Sequence, residues 1–478
     1  MNREDLIREL REIVGERYVL SHKEDVIVYE QDASILQAMP EIVVLPASVE
    51  EVSAVARAAR RANVPIVPRG SGTGLAGGAV PAEGGIVLSL ARLNRILQVD
   101  LRKRVAIVEA GVINMEVTMA VANEGFFYAP DPSSQAACSI GGNVANNSGG
   151  PHTLAYGVTT NHVLGVEVVL RDGQVVWFGG TVPDSPGYDL CGLMVGSEGT
   201  LGIVTKAAVR LLRSREAVRT LLAIFDREDF ATQTVVDITA AGIIPAALEM
   251  MDQLTMEAVE RGESLGYPRD AAAVLLVEIE GVREHTERSM TLVKEICSKN
   301  SAREIRVAQN NAERQLLWKG RKGAFGALGA LAPNYYVQDG VVPRSRLPEI
   351  MRRVAEISSH YGVRIANVFH AGDGNLHPNI LFDIRKPGEL DRVIEAGAAI
   401  LRACVEAGGS ITGEHGIGLE KKAYIGLLFN DADLDAMARV RRAFDPDGRF
   451  NPAKFFPSPI SCGEISRAQA RIPAGLWI

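Results

Sequence analysis

The sequence predicts a multidomain α+β protein, and three observations carry that reading. A strand–helix–strand pattern begins at Glu41, three glycine-rich stretches follow, and a second series of strands and helices starts after Arg215. At 478 residues the chain can hold two or more domains and a sizeable core. A hydrophobic share of 47% and a charged share of 23% are ordinary for a globular protein. A net charge of -7 speaks against a dedicated nucleic-acid binder.

Residues 2–16 read as a short helix, followed by a polar stretch to Pro40. EIVVLP is strand-like, Val49 to Asn63 carries apolar residues at helical spacing, and PIVP returns as a strand. The loop RGSGTGLAGG, Arg69 to Gly78, contains GTGLAG, a formal match to the dinucleotide fingerprint. That fingerprint needs a helix directly after its glycines, whereas AVPAEGG and the strand IVLSL follow here. A Rossmann reading therefore fails. SIGGNVANNSGGPHTLAYG, Ser139 to Gly157, and GSEGTLGIVTK, Gly196 to Lys206, read as two further loops. Glycines let backbone approach a bulky ligand, and successive N–H groups form an anion nest without a lysine. Together the three stretches point to a large phosphate-bearing cofactor.

The texture changes at the charged run RSRE, near residues 213–217. VRTLLAIF, AAAVLLVEIEG and REIRVAQ read as strands, with helices at Glu228–Ala241 and Arg283–Lys299. This alternation fits a sheet with helices on one face. Asp433 to Phe444 reads as a helix and DPDGRFNPAKFF as an extended tail.

The chemistry concentrates in FHAGDGNLHPN, Phe369 to Asn379, and GEHGIG, Gly413 to Gly418. They supply His370, His377, Glu414 and His415, and two imidazoles with one carboxylate form a common ligand set for a catalytic divalent metal. Val363–Phe369 and Leu376–Phe382 read as strands around the tight turn AGDGN, so the two histidines flank one turn. A polar hairpin is the plainer alternative. A metal hydrolase would use the same residues but leaves the glycine-rich stretches unexplained.

Five scattered cysteines, Cys138, Cys191, Cys297, Cys404 and Cys462, show neither C-x-x-C nor iron–sulfur spacing and suit a reducing compartment. MNREDLIREL is not a signal peptide, and no apolar run approaches about 18 residues, so no membrane span is expected. The expected location is the cytoplasm, with contact to the inner membrane only through a partner. His152, His162 and His285 are taken as structural, and Asp131 as a turn residue or a neighbour of the cofactor.

PRGSGTGLAGGAVP, SIGGNVANNSGG, GSEGTLGIVT, HAGDGNLHP, GEHGIG and FDPDGRFNPAK occur in that order. The set resembles the FAD-linked 2-hydroxy-acid dehydrogenases with a vanillyl-alcohol-oxidase type flavin domain, over roughly residues 38 to 457. NYYVQDGVVPR and IANVFHAGDGN look most similar to the glycolate oxidase branch. The resemblance implies an N-terminal helical segment (1–37) and an FAD domain of two α+β subdomains (38–215). It further implies an α+β cap, or substrate, domain with the metal site (216–429). A C-terminal helix and tail (430–478) would return to the flavin domain. Arg69, Gly70, Ser71, Gly72, Thr73 and Gly74 would hold the pyrophosphate. Gly141, Gly142, Asn143, Asn147 and Gly149 would line the flavin. Gly199, Thr200, Ile203 and Val204 would lie on the adenosine side, with Asn451 returning from the tail. Relatives with covalent flavin carry a histidine where Thr73 stands, which implies non-covalent FAD.

The resemblance also implies His370, His377 and Glu414 as ligands of Zn, Mn or Fe, His415 as catalytic base and Asn379 as a polar substrate contact. Arg321, in WKGRKGAF, matches a carboxylate-binding arginine; a solvated helix arginine is the plainer alternative. The metal would polarise the substrate, His415 would take the hydroxyl proton, and the Cα hydride would pass to flavin N5. Phe325 and Val337 stand where 2-hydroxyglutarate enzymes carry a threonine and a lysine for the distal carboxylate. Their presence argues for a small substrate, glycolate first and D-lactate second. A D-2-hydroxyglutarate dehydrogenase and a non-catalytic flavoprotein assembly subunit are the alternatives. Electrons would leave to an iron–sulfur subunit, beside a second flavin-domain subunit.

Overall fold

The computed structural model describes residues 2–182 and 186–457, which fall into two compact units. One comprises Met1–Gly149, Val158–Ser214 and Glu414–Ile478, the other Gly150–Gly157 and Arg215–Gly413. Cys462 and residues 458–478 of the expected tail lie outside the described residues.

The first unit starts from the βαβ pattern at Glu41. Ser48 caps the helix Val49–Ala62 by accepting the Glu51 N–H at 3.3 Å, and Asn63, at φ 56°, ends it. Its apolar stripe of Val52, Val55, Ala56 and Ala59 packs on Ile42, Ile66, Ile86 and Leu88. The strands Ile42–Val44, Ile86–Ser89 and Ile66–Arg69 run parallel, with Val19–Leu20 added antiparallel at one edge. Parallel neighbours require crossovers, and both sheet faces are buried. A second, antiparallel sheet orders Ile96–Asp100, Val105–Glu109, Ile203–Arg210, Val163–Val169 and Val175–Gly179.

Two expectations for this unit need correction. The stretch Ser139–Gly157 is not all loop, because Ile140–Asn146 is helical. Ser139 accepts the Gly142 N–H at 3.3 Å, Ile140 and Val144 bury one turn apart, and Asn147 (φ 54°) stops the helix. Three small or flexible residues hid that apolar pair. The segment after Phe444 is turned, not extended: Asn451, Ala453 and Phe455 have φ of 40°, 65° and 69°. Side chains stabilise those turns, since Lys454 Nζ donates to Val80 O at 2.6 Å and to Asn451 Oδ1 at 3.1 Å.

The second unit is a nine-stranded antiparallel sheet. Its main path runs Glu304–Val307, Ala217–Phe225, Ala273–Gly281, Ala247–Asp252, Arg364–His370, Asn375–Leu376 and Gly340–Val341. Pro378–Phe382 pairs with Arg364–His370 and carries Asn334–Val337 outside it. The expectation of helices on one face also needs correction. Leu222 and Ile224 are buried on one face, and Leu221, Ala223 and Phe225 are buried on the other. The helices Gln253–Gly262 and Asn311–Ala327 cover the first face, through Met256, Val259, Trp318 and Ala324. Glu228–Ala240 and Arg283–Lys299 pack against the same strand but stay outside that cluster.

Register then places the polar side chains. Directly paired residues point to the same side of a sheet. Ala247 pairs with Glu278, Glu249 with His370, and Asn379 with both Ala366 and Val337. One face therefore presents Glu278, Glu249, His370, Asn379 and Val337 in a row across the strands.

Candidate active site

The helix Asn311–Ala327 lies over this row, and its sheet-facing stripe is Arg314, Trp318, Arg321 and Phe325, spaced four, three and four residues apart. Arg314 donates two bonds of 2.7 Å to Glu278, and Trp318 Nε1 and Thr220 Oγ1 add bonds of 2.8 and 2.6 Å. Burial opposes ionisation of Glu278, yet Arg314 and His152 hold its carboxyl well below the usual range. His152 also stacks on the Trp318 ring at 5.6 Å, a structural place for it. Two turns along, Arg321 Nη2 pairs with Glu249 Oε2 at 2.5 Å. Arg321 is 1% exposed, whereas neighbouring Lys319 is solvated. The solvated-arginine alternative is thereby excluded.

Glu249 also accepts from His370, whose Nδ1 lies 2.9 Å from both carboxylate oxygens. That bond fixes the tautomer with its lone pair on Nε2. Burial raises the Glu249 carboxyl, but Arg321 and His370 overcome it and leave the group below its ordinary value. His377 Nδ1 donates to Gln338 O at 3.3 Å, and its ring meets that of His370 edge-on at 5.1 Å between centroids. The strand expected over Leu376–Phe382 breaks at His377, between Asn375–Leu376 and Pro378–Phe382. Asp339 Oδ2 accepts from Thr412 Oγ1 at 2.5 Å and from Gly413 N at 3.0 Å. Glu414 follows Gly413 by one peptide. Two neighbouring imidazoles with both Nδ1 atoms committed elsewhere fit a divalent metal.

Two buried polar atoms beside the row lack a protein partner: Nε of Arg321 and Oδ1 of Asn379. Asn379 spends its amide on Ala366 O (3.1 Å) and His377 O (2.6 Å). The Phe325 ring stands edge-on to His377 at 6.0 Å, and Val337 is buried opposite Asn379. Glu249 escaped the sequence reading. Its one signal was a carboxylate inside the apolar run AALEMM, a place that demands a partner.

The glycine-rich stretches, apart from Gly150–Gly157, belong to the first unit and are built differently. Arg69 Nη1 donates to Gln31 O at 2.8 Å, and a Cβ on Gly72 would strike its guanidinium. A Cβ on Gly70 would strike Ser139 Oγ, one on Gly141 would reach the Ala110 side chain at 2.7 Å, and one on Gly199 would reach Pro68 at 3.0 Å. Gly74 approaches Asn146, Ser71 is exposed, Thr73 is partly buried, and Gly149 is buried. Asn143 Nδ2 donates to Asn114 Oδ1 at 2.8 Å, Asn147 Oδ1 accepts from Thr160 N at 2.9 Å, and Thr200 Oγ1 donates to Ser197 O at 2.7 Å. Asn451 Nδ2 bridges Gly78 O and Glu198 O at 2.9 and 2.6 Å. Ile203 lies in the core cluster of the parallel sheet, and Val204 packs against the separate cluster of the antiparallel sheet. The side chains of Arg69, Asn143, Asn147, Thr200 and Asn451 are thus bonded within the chain. A bed without projecting Cβ atoms fits a pyrophosphate-bearing ligand.

The four described cysteines are free and buried, and burial pushes the thiols of Cys191 up to about 11 and of Cys297 and Cys404 up to about 12. Among the described residues no helix is long and apolar enough to cross a membrane.

Residues 40–179 match the FAD binding domain family and residues 214–455 the C-terminal domain of FAD linked oxidases. The chain belongs to the FAD-linked oxidases and is an oxidoreductase with an FAD-binding domain. It is 47% identical over 466 residues to the glycolate oxidase subunit GlcD of Escherichia coli (strain K12), covering 97% of this chain and 93% of that protein. It is 36% identical over 418 residues to the D-lactate dehydrogenase of Archaeoglobus fulgidus, covering 86% and 90%. The solved p-cresol methylhydroxylase with substrate bound aligns with a TM-score of 0.80 at 18% identity, over 95% of this chain and 96% of that one. That likeness shows the vanillyl-alcohol-oxidase type fold, as the motifs led one to expect.

Proposed function

We propose that this chain oxidises a small 2-hydroxy acid to the 2-oxo acid, with glycolate the better substrate and D-lactate the second. The observation that carries the reading is the Glu249–His370–His377 row, with Arg321 held on the same carboxylate. The names of the two relatives support the substrate class.

FAD would supply the two-electron acceptor for the Cα hydride, and a divalent metal, which His370, His377 and Glu414 would hold, would supply positive charge against the substrate hydroxyl. His415 accepts the hydroxyl proton, since imidazole titrates near neutrality. Arg321 turns its unpartnered Nε–H to the substrate carboxylate while Glu249 keeps Nη2 in place. Asn379 orients the substrate through Oδ1. Phe325 and Val337 bring no charge, so a second carboxylate there would lose hydration without a cation, at a cost of several kcal/mol. FAD is held without a covalent bond, because Thr73 offers no linking imidazole. The electrons pass on to an iron–sulfur subunit, in an assembly with a second flavin-domain subunit. The word subunit in the E. coli relative's name supports this. The chain works in the cytoplasm, or at the inner membrane through that partner.

The test is anaerobic bleaching of the flavin by glycolate, D-lactate and D-2-hydroxyglutarate. Glycolate or D-lactate should exceed the dicarboxylate in kcat/KM by on the order of a hundredfold or more. Equal or faster bleaching by D-2-hydroxyglutarate would refute the size argument.

A further inference from the structure

The segment that carries His415 is anchored at three points, one in each glycine-rich stretch. Asn146 Nδ2, from SIGGNVANN, donates to the carbonyl of His415 itself at 3.2 Å. Glu198, from GSEGTLG, accepts the next two available N–H groups: Oε1 takes Ile417 N at 2.6 Å and Oε2 takes Gly418 N at 2.8 Å. Ala76 O, from GTGLAG, accepts Leu419 N at 2.9 Å and Glu420 N at 3.2 Å. The approach is close enough to need glycine. A Cβ on Gly416 (φ 84°) would come within 2.8 Å of Glu198 Oε1, and one on Gly418 (φ 53°) would collide with Ala76 O. Glu198 itself sits at φ 52° and is 5% exposed, a conformation that costs energy unless the surroundings fix it.

On the Glu198 carboxylate each of the two adjacent N–H donors has its own oxygen, whereas a side-chain amide would turn an NH2 group towards one of them. From this we infer that Asn146 and Glu198 are positioning residues for His415, holding the base at a fixed place relative to the stretches that bed the flavin. The inference rests on the reading of His415 as the base. Neither side chain needs to touch substrate. They act through the main chain at His415 and just after it, and a displacement of about 1 Å at a reacting group costs on the order of a hundredfold in rate.

The experiment is anaerobic stopped-flow reduction of the full-length, FAD-loaded protein by glycolate, in wild type, Glu198→Gln, Asn146→Ala, His415→Ala and each pairing with His415→Ala. Glu198→Gln and Asn146→Ala should slow the limiting rate of flavin reduction by on the order of 10-fold to 100-fold. Substrate affinity and the flavin-to-protein ratio should stay near wild type. In the His415→Ala background the same changes should add less than about threefold, because a residue acting through His415 has nothing left to position. Wild-type reduction rates in both single variants would overturn the inference. So would an equal loss with and without His415, which is what general damage to the fold produces. If Glu198→Gln sheds flavin, the rate in Asn146→Ala decides between these outcomes. A wild-type rate in His415→Ala alone would remove the base assignment, and the positioning role with it.

Discussion

The polar row on the large sheet and the bed of glycine-rich segments are built by opposite means. On the sheet, the charged groups are side chains held by other side chains: Arg314 on Glu278, Arg321 and His370 on Glu249. In the bed, side chains such as Asn143, Asn147 and Thr200 brace the chain, and close backbone approaches at Gly70, Gly141 and Gly199 shape the surface. The first design fails when a partner is removed, because a buried charge is left alone. The second tolerates many side-chain losses but not an added Cβ.

The largest effect should come from the proposed metal ligands. His370→Ala or Glu414→Ala should lose bound divalent metal and lower activity by on the order of a thousandfold, while FAD stays bound. Elemental analysis of the folded variants, with flavin absorbance alongside, checks this. Full metal retention in both variants would contradict the ligand assignment.

A smaller effect should follow from Arg314→Ala, at about 2 kcal/mol of stability. The figure sits low because Arg314 is partly exposed and Trp318 and Thr220 still donate to Glu278. Glu278 titrates below its ordinary value in the folded protein, so its contribution is full above the unfolded glutamate pKa of about 4.3. It is lost as pH falls below that value. The gap in Tm between wild type and Arg314→Ala should therefore narrow as pH drops from about 5 towards 3. A gap that stays constant with pH would show that the pair is not the source.

The smallest effect belongs to the bed. If backbone N–H groups hold the cofactor, Thr73→Ala should change FAD content by less than about twofold. Acid precipitation of the unaltered protein should leave its flavin in the supernatant. Flavin in the pellet would reveal a covalent bond and a different chemistry for this loop.

Local patterns were readable in advance. The helix Val49–Ala62 followed from apolar spacing, and the pairing of His370 with His377 followed from one intervening turn. Partners distant in sequence were not. Glu249 meets Arg321 and His370 only because strand register and helix phase bring them together, and neither follows from a local window of residues. The helix Ile140–Asn146 was hidden by its glycines, although Ile140 and Val144 have the right spacing. Helices on both sheet faces were missed although Leu221 to Phe225 run apolar without alternation, the pattern of a strand buried on both faces.

The central claim is that substrate oxidation needs the proposed metal ligands while flavin retention does not. Anaerobic mixing of glycolate with chelator-stripped, FAD-loaded protein tests it most directly. The flavin should stay oxidised on the timescale of turnover and bleach once a divalent metal is returned. Bleaching at the full rate in the stripped protein, with metal shown absent by elemental analysis, would contradict the account.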